Sequence, residues 1–203
     1  AAYGSMAQVA TSVIPPSLDF FDSSIPANEY NPDKARELLA EAGYSDGDLE
    51  LLMVVFSMPV KQTIAEVVQA QLREVGITVK IEAYDPPTAI PIFMQGGVDI
   101  NLGGTNGGMW DPALIFNSAS RDSTNLPMRI TDEHFNELLE TAKYTTDEAV
   151  REECYIEAQN WLHDSYRWIM IDYTQACTAY SKDIAEVYGF DFKTVDPRYV
   201  VYN

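Results

Sequence analysis

The stretch that most constrains the fold lies between residues 49 and 82, where the period of the apolar residues changes twice. Leu49–Phe56 is a nearly continuous apolar run, as expected for a strand covered on both faces. Val60, Ile64, Val67, Val68, Leu72 and Val75 then recur at helical spacing until Gly76, after which Ile77, Val79 and Ile81 alternate with Thr78, Lys80 and Glu82 as in a strand. Strand, helix and strand of these lengths predict a parallel, right-handed crossover unit, and with it an α/β fold. Ser57, between the first strand and the helix, is placed to act as the helix cap.

The flanking segments extend this pattern. Residues 1–30 carry Pro15-Pro16 and Pro26, and their apolar residues Val13, Ile14, Leu18, Phe20 and Phe21 fit neither period, which predicts an extended, docked segment. Asn31-Pro32-Asp33 opens a helix whose buried stripe is read as Ala35, Leu38, Leu39 and Ala42, with Gly43 as its stop. A helix over 88–95, interrupted by Pro91, leads through Gly96-Gly97 to a strand over 98–102. Further on, helices are expected over 131–144, with Phe135, Leu138 and Leu139 inward, and over 146–164. The second is opened by Thr146 and turns Val150, Cys154, Ala158, Trp161 and Leu162 inward; strands follow over 168–173 and 177–180.

Composition removes whole classes of function. In 203 residues, 31 Asp and Glu face 13 Lys and Arg, a formal charge of -18 that repels nucleic acid and anionic membrane surfaces. No apolar run reaches the roughly 20 residues of a membrane span, and Ala1-Ala2-Tyr3-Gly4 has neither the basic nor the apolar part of a secretion signal. Cys154 and Cys177 match no zinc pattern; they read as two buried thiols, or as one disulfide in an oxidising compartment.

Residues 103–112, Gly-Gly-Thr-Asn-Gly-Gly-Met-Trp-Asp-Pro, follow a predicted strand, and the crevice beyond the carboxyl ends of parallel strands is where open α/β sheets bind ligands. Neither a dinucleotide fingerprint nor a phosphate loop is present, so the segment is read as a ligand loop or as a tight connection. Ser57 could present helix N–H groups to an anion, and Lys61, one turn on, could meet a ligand carboxylate; the alternatives are a plain cap and a solvated lysine. His134 and His163 make no metal pattern, Glu152 and Glu153 point to different helix faces, and no nucleophile arrangement occurs. Neither a catalytic set nor a cofactor or metal is expected.

Tyr30-Asn31-Pro32-Asp33-Lys34-Ala35-Arg36-Glu37-Leu38-Leu39-Ala40-Glu41-Ala42-Gly43-Tyr44 closely resembles the Tyr-Asp-Pro-Glu-Lys-Ala-Lys-x-Leu-Leu-x-Glu-Ala-Gly-Tyr segment of family 5 extracellular solute-binding proteins, the peptide, dipeptide and nickel receptors of ABC importers. Ala65-Glu66-Val67-Val68-Gln69-Ala70-Gln71-Leu72-Arg73-Glu74-Val75-Gly76-Ile77 agrees as well, as do Val98-Asp99-Ile100-Asn101-Leu102 with Trp110-Asp111-Pro112, and residues 150–162 leading to Trp168-Ile169-Met170-Ile171. The resemblance implies a type II periplasmic-binding-protein-like lobe of the peptide-receptor class, a mixed sheet flanked by helices, and a fragment of a two-lobed protein more than twice as long. Residues 1–30 would connect to a missing N-terminal lobe, 31–180 would form the C-terminal solute-binding lobe, and 181–203 would return toward the hinge.

It also implies a receptor, not an enzyme: a monomer that captures a solute, peptide before any other, and delivers it to ABC permease subunits outside the cytoplasm, in the periplasm or as a cell-surface lipoprotein whose signal belongs to the absent part. The alternatives are a receptor for an oligosaccharide or other small polar solute, a flavodoxin-like or hydrolytic enzyme domain using Ser57 or His163, and a regulatory module on the receptor fold. Anchoring on Asp111-Pro112 places Gly104 on the family's Gly, Thr105 on its Trp and Gly108 on the Asp that binds a peptide's amino terminus. With both side chains replaced, an ammonium would need Asp111 or another carboxylate, since an unpaired buried charge is costly. Thr105, Asn106 and backbone would supply hydrogen bonds, with Met109 or Trp110 as an apolar wall.

Overall fold

The computed structural model describes residues 4–103, 111–117, 119–120 and 130–174, and as backbone the strand residues 184–187, 190–191, 194–195 and 200–202. After a short 3-10 turn at Gly4–Met6 come β1 (Ala7–Val9), α1 (Pro32–Glu41), β2 (Leu49–Phe56), α2 (Pro59–Glu74), β3 (Ile77–Tyr84), α3 (Pro86–Gln95) and β4 (Ile100–Leu102). They are followed by α4 (Pro112–Phe116), α5 (Glu133–Tyr144), α6 (Glu148–Ser165), β5 (Asp172–Thr174), β6 (Ile184–Val187), β7 (Phe190–Asp191), β8 (Thr194–Val195) and β9 (Val200–Tyr202).

The crossover unit forms as its period predicts. β2 is central in the order β3-β2-β4 and parallel to both neighbours, with Leu49 opposite Ile77 at one end and Val55 opposite Leu102 at the other. Successive strand residues point to opposite faces, so Met53 and Val55 pack with Ile64 and Ala65 of α2, while Val54 packs with Ala89 and Phe93 of α3. The remaining described strands pair antiparallel, β1 with β5, β6 with β9 and β7 with β8. Parallel and antiparallel pairing are thus mixed across the molecule, within an α/β architecture. Gly76 turns α2 into β3 at φ +86, and a Cβ there would fall on the Asp46 carboxylate and within 3.0 Å of its Cα, so only glycine fits.

Several local expectations need correction. α1 starts as predicted, with Asn31 accepting from the Lys34 N–H at 3.0 Å and Pro32 in the first turn, but it has no buried residue: Leu38 is 51% exposed and Ala42 lies in solvent. It lies along the edge of the sheet unit, tied by Arg36 Nη2 donating to the Glu74 carbonyl at 3.1 Å and by Tyr30 donating to the Glu74 carboxylate at 2.7 Å. Ser57 does not cap α2; Met58 occupies that position, and the Ser57 N–H instead extends the ladder to the Tyr84 carbonyl at 2.7 Å. α3 runs unbroken through Pro91, because Ala89 and Phe93 on either side are buried under Val54. Asp147, not Thr146, caps α6, accepting from Ala149 and Val150. Val67 and Val150 face solvent, and of the strand expected over 168–173 only the last two residues belong to β5. The strand expected over 177–180 lies outside the described residues.

A second core joins α4, α5 and α6 to the N-terminal segment. Phe116 stacks on Tyr155 with centroids 5.5 Å apart and planes 4° from parallel, and meets Phe135 edge-on at 6.3 Å; Phe135 in turn contacts Trp161 at 4.8 Å. Val13 and Ile14 enter this cluster, so the segment is docked as its composition suggests. Tyr173 accepts from the Ser12 N–H at 2.9 Å and donates to the Ser12 carbonyl at 2.7 Å, continuing the β1–β5 pairing inward. Cys154 is a free, buried thiol held above its usual range by that burial; Cys177 lies outside the described residues.

Candidate binding site at the carboxyl edge of the sheet

All three parallel strands end at one edge. The chain leaves β2 through exposed Ser57 and Met58, β3 through Asp85 at the start of α3, and β4 through Gly103. Lys61 sits in the first turn of α2, three and four residues before Ile64 and Ala65, and so on the helix face turned to the sheet. Its half-buried side chain reaches across this edge, and Nζ donates to the Gly103 carbonyl at 2.8 Å. Among the described residues no carboxylate pairs with it.

The chain re-enters the described structure at Asp111, which caps α4 by accepting from the Ala113 N–H at 2.9 Å. Pro112, Ile115 and Phe116 are buried, so α4 is anchored in the helical core. Residues 104–110 therefore connect two separately packed cores: the sheet, where Lys61 holds Gly103, and the helical cluster, where Phe116 holds α4.

Tyr155 lies beneath this second anchor at 2% exposure, and its burial, followed by the nearby Asp111 carboxylate, pushes the phenol up to about 12 from 10.0. The unfolded chain releases this proton first, so Tyr155 supports folding fully below pH 10 and loses about 2 kcal/mol of that support as pH rises from 10 to 12. The difference between ultraviolet titrations of the wild type and Tyr155→Phe is expected to show one phenolate forming near pH 12; a step near pH 10 would contradict the buried placement.

Of the residues singled out from the sequence, Ser57, Lys61 and Gly103 are gathered at the carboxyl edge and Asp111 marks the exit of the segment. Gly104, Thr105, Asn106, Gly108, Met109 and Trp110 lie outside the described residues. Sequence reasoning missed the bond from Lys61 to Gly103 and the position of Tyr155 under α4. A signal for the first existed, since Pro59 at the helix start puts Lys61 on the same stripe as Ile64 and Val68. The two histidines lie elsewhere: His134 pairs with Glu157 at 2.7 Å on the surface, and His163 meets Asp164 at 3.1 Å. A cavity of about 330 Å³ lined by Arg36, Leu39, Tyr44, Leu49 and Ile77 opens at the opposite edge, where β2 and β3 begin. Among the described residues no group of three or more His, Cys, Asp or Glu could hold a metal ion.

Comparison with known proteins gives one consistent answer. The model of the bacterial extracellular solute-binding proteins, family 5 Middle, matches residues 1–126. Di/tripeptide-binding protein 1 of Pseudomonas aeruginosa is 30% identical over 81% of this chain and 32% of its own length. The glutathione-binding protein GsiB of Salmonella paratyphi A is 29% identical over 96% of this chain and 41% of its own. Among solved structures, a dipeptide-binding protein from Pseudoalteromonas in complex with Met-Leu superposes with a TM-score of 0.81 at 22% identity, covering 99% of this chain and 41% of that one. The periplasmic binding protein DppA from Helicobacter pylori, in complex with the peptide STSA, gives a TM-score of 0.73 at 26% identity over 84% of this chain and 34% of that one. The chain thus spans about a third to two-fifths of the length of these relatives.

Proposed function

The chain belongs to the bacterial extracellular solute-binding proteins of family 5, and from that premise we propose that it forms one lobe of a peptide receptor serving an ABC importer. In this reading residues 31–180 are the solute-binding lobe, while 1–30 and 181–203 run toward a second lobe that closes on the solute by hinge motion. The relatives that bind dipeptides, tripeptides and glutathione support a short peptide as the solute. The receptor is a monomer, captures its solute without chemical change, hands it to the permease subunits, and works outside the cytoplasm, in the periplasm or tethered as a lipoprotein.

The observation that supports the proposal is where the residues flanking 104–110 stand. Gly103, held by Lys61, ends at the carboxyl edge of a parallel sheet, the edge at which such sheets take ligands, and Asp111 opens a helix seated in a second core. We assign solute contact to this segment, with Gly104, Thr105, Asn106 and Gly108 offering backbone and polar groups and Met109 and Trp110 an apolar wall. Asp111 stands at its exit, and Ser57 and Lys61 at its base. Because Gly108 carries no carboxylate, a peptide ammonium would have to meet Asp111 or a group on the other lobe.

Calorimetry on the full-length protein with pools of di- and tripeptides and of oligosaccharides tests the assignment. Heat from peptides alone is expected. Heat from sugars with none from peptides would replace peptide by sugar, and binding to a protein partner with no solute at all would make the chain a regulatory module.

A further inference from the structure

We propose that the small cavity between the N-terminal segment and α6 is a binding site for one structural water, which joins the Thr11 hydroxyl to His163 Nε2. Among the described residues, Thr11 Oγ1 and His163 Nε2 are the two buried side-chain atoms without a hydrogen-bond partner. The residues that carry them line one and the same cavity. A buried polar atom left unpaired has given up its bonds to water for nothing, so two of them on one cavity point to a shared partner. The volume there is about 10 Å³, room for a single water and for nothing larger.

The other polar side chains of the cavity wall nearest to these two are already engaged. Gln159 donates from Nε2 to the Phe20 and Tyr155 carbonyls and accepts at Oε1 from Ser12 and Asp22, which uses both its hydrogens and both its lone pairs. Ser12 gives its only hydroxyl hydrogen to Gln159. His163 Nδ1 lies 3.1 Å from Asp164 Oδ1, and because a carboxylate only accepts, the neutral ring carries its proton on Nδ1 and keeps a lone pair at buried Nε2. A water between imidazole and hydroxyl donates one O–H to that lone pair and meets Thr11 with its other hydrogen or with a lone pair. Val13, Leu162, Trp168 and Met170 complete the wall, a lining that by itself would stay dry. The backbone N–H groups of Thr11 and Ser12 are held by the Tyr173 hydroxyl, and His163 stands in the last turn of α6, one turn beyond Gln159. The water therefore ties the N-terminal segment to the end of the helix.

Crystal structures of the intact protein and of its Thr11→Val variant, in which a methyl replaces the hydroxyl at nearly equal size, test the site. The wild type is expected to show one water about 2.7–3.2 Å from both Thr11 Oγ1 and His163 Nε2, and Thr11→Val is expected to lose it. A dry cavity in the wild type, a direct bond between hydroxyl and imidazole, or a water that persists in Thr11→Val would overturn the proposal. In solution, Thr11→Val is expected to speed hydrogen exchange at the amides of Thr11's position and Ser12 about fivefold, with β2 unaffected and with Thr11→Ser, which keeps the hydroxyl, close to wild type. Unchanged exchange in Thr11→Val, or equal acceleration in Thr11→Ser, would count against the tie. The nitrogen resonances of the wild-type imidazole give a further reading: in mildly alkaline solution His163 is expected as the tautomer protonated on Nδ1, and a proton on Nε2 instead would overturn the bridge as drawn. The wild-type crystal and the wild-type spectrum need no variant to fold, and neither depends on which solute the protein carries.

Discussion

Replacing Phe116 with alanine is expected to destabilise the intact protein by about 3–5 kcal/mol, a fall in melting temperature on the order of 10 °C. Phe116 is 1% exposed, stacked on Tyr155 and edge-on to Phe135, and the surrounding rings are themselves packed against Trp161 and Phe20. Such a cluster cannot collapse around a missing ring without giving up its own contacts, which is why the cost belongs at the upper end of core truncations. The loss also has a functional side. α4 is five residues long, too short to hold itself, and Phe116 is the ring that seats it, so Asp111 and the exit of residues 104–110 would lose their anchor. Solute affinity is expected to fall further in Phe116→Ala than in Phe116→Leu, which retains most of the buried volume. Differential melting of the two variants, with and without solute, checks both effects. A destabilisation below about 1 kcal/mol for Phe116→Ala would mean that the ring is not held as described.

The sequence made the crossover unit legible because its three elements carry two different periods and glycine marks the second change. Both faces of β2 are covered, so a continuous apolar run was the correct signature, and the parallel register follows from the helix that separates the strands. α1 shows where such reading stops. Its N-cap is local and legible in Asn31-Pro32-Asp33, whereas burial of Leu38 depends on what lies against the helix, which no periodicity encodes. The misplaced caps have a common cause: Ser57 and Thr146 have good capping side chains, but Pro59 sets the start of α2 one residue later, and Asp147 outcompetes its neighbour with a carboxylate aimed at two N–H groups. For the site, the glycine run after β4 was visible as a motif, yet its two anchors were not. Lys61 and Gly103 are 42 residues apart, and Asp111 stands above a ring 44 residues further along, at Tyr155, so their proximity exists only once the two cores have formed.

Gln159→Leu is expected to cost about 3 kcal/mol, although it removes almost no volume, because the side chain is a clamp. At 2% exposure, Oε1 accepts from the Ser12 hydroxyl at 2.7 Å and from the Asp22 N–H at 3.3 Å, while Nε2 donates to the Phe20 carbonyl at 2.8 Å. Phe20 holds a left-handed φ of +65, unusual for a side chain with a ring, and its carbonyl is kept in place by Gln159 while its ring lies 5.5 Å from Tyr155. Leucine fills the space but leaves the buried Ser12 hydroxyl and two half-buried backbone groups without their partner, and the strained turn without its tie. Gln159→Glu separates the two halves of the clamp, since a carboxylate still accepts from Ser12 and Asp22 but sets an acceptor against the Phe20 carbonyl. Both variants are expected to melt early, with exchange in residues 10–25 faster than in β2 or β3. The clamp is one of the ties between the N-terminal segment and α6, beside Asn160 donating to the Asp22 carboxylate at 3.0 Å and the apolar contacts of Val13 and Ile14, and β1 at the start of that segment is paired with β5. If that segment leads to a second lobe, loosening it by Gln159→Leu should raise the rate of solute release more than truncations on the solvent face of α1, such as Leu38→Ala. Full protection of residues 10–25 in Gln159→Leu would show that the apolar contacts of Val13 and Ile14 suffice, and that the polar clamp is dispensable.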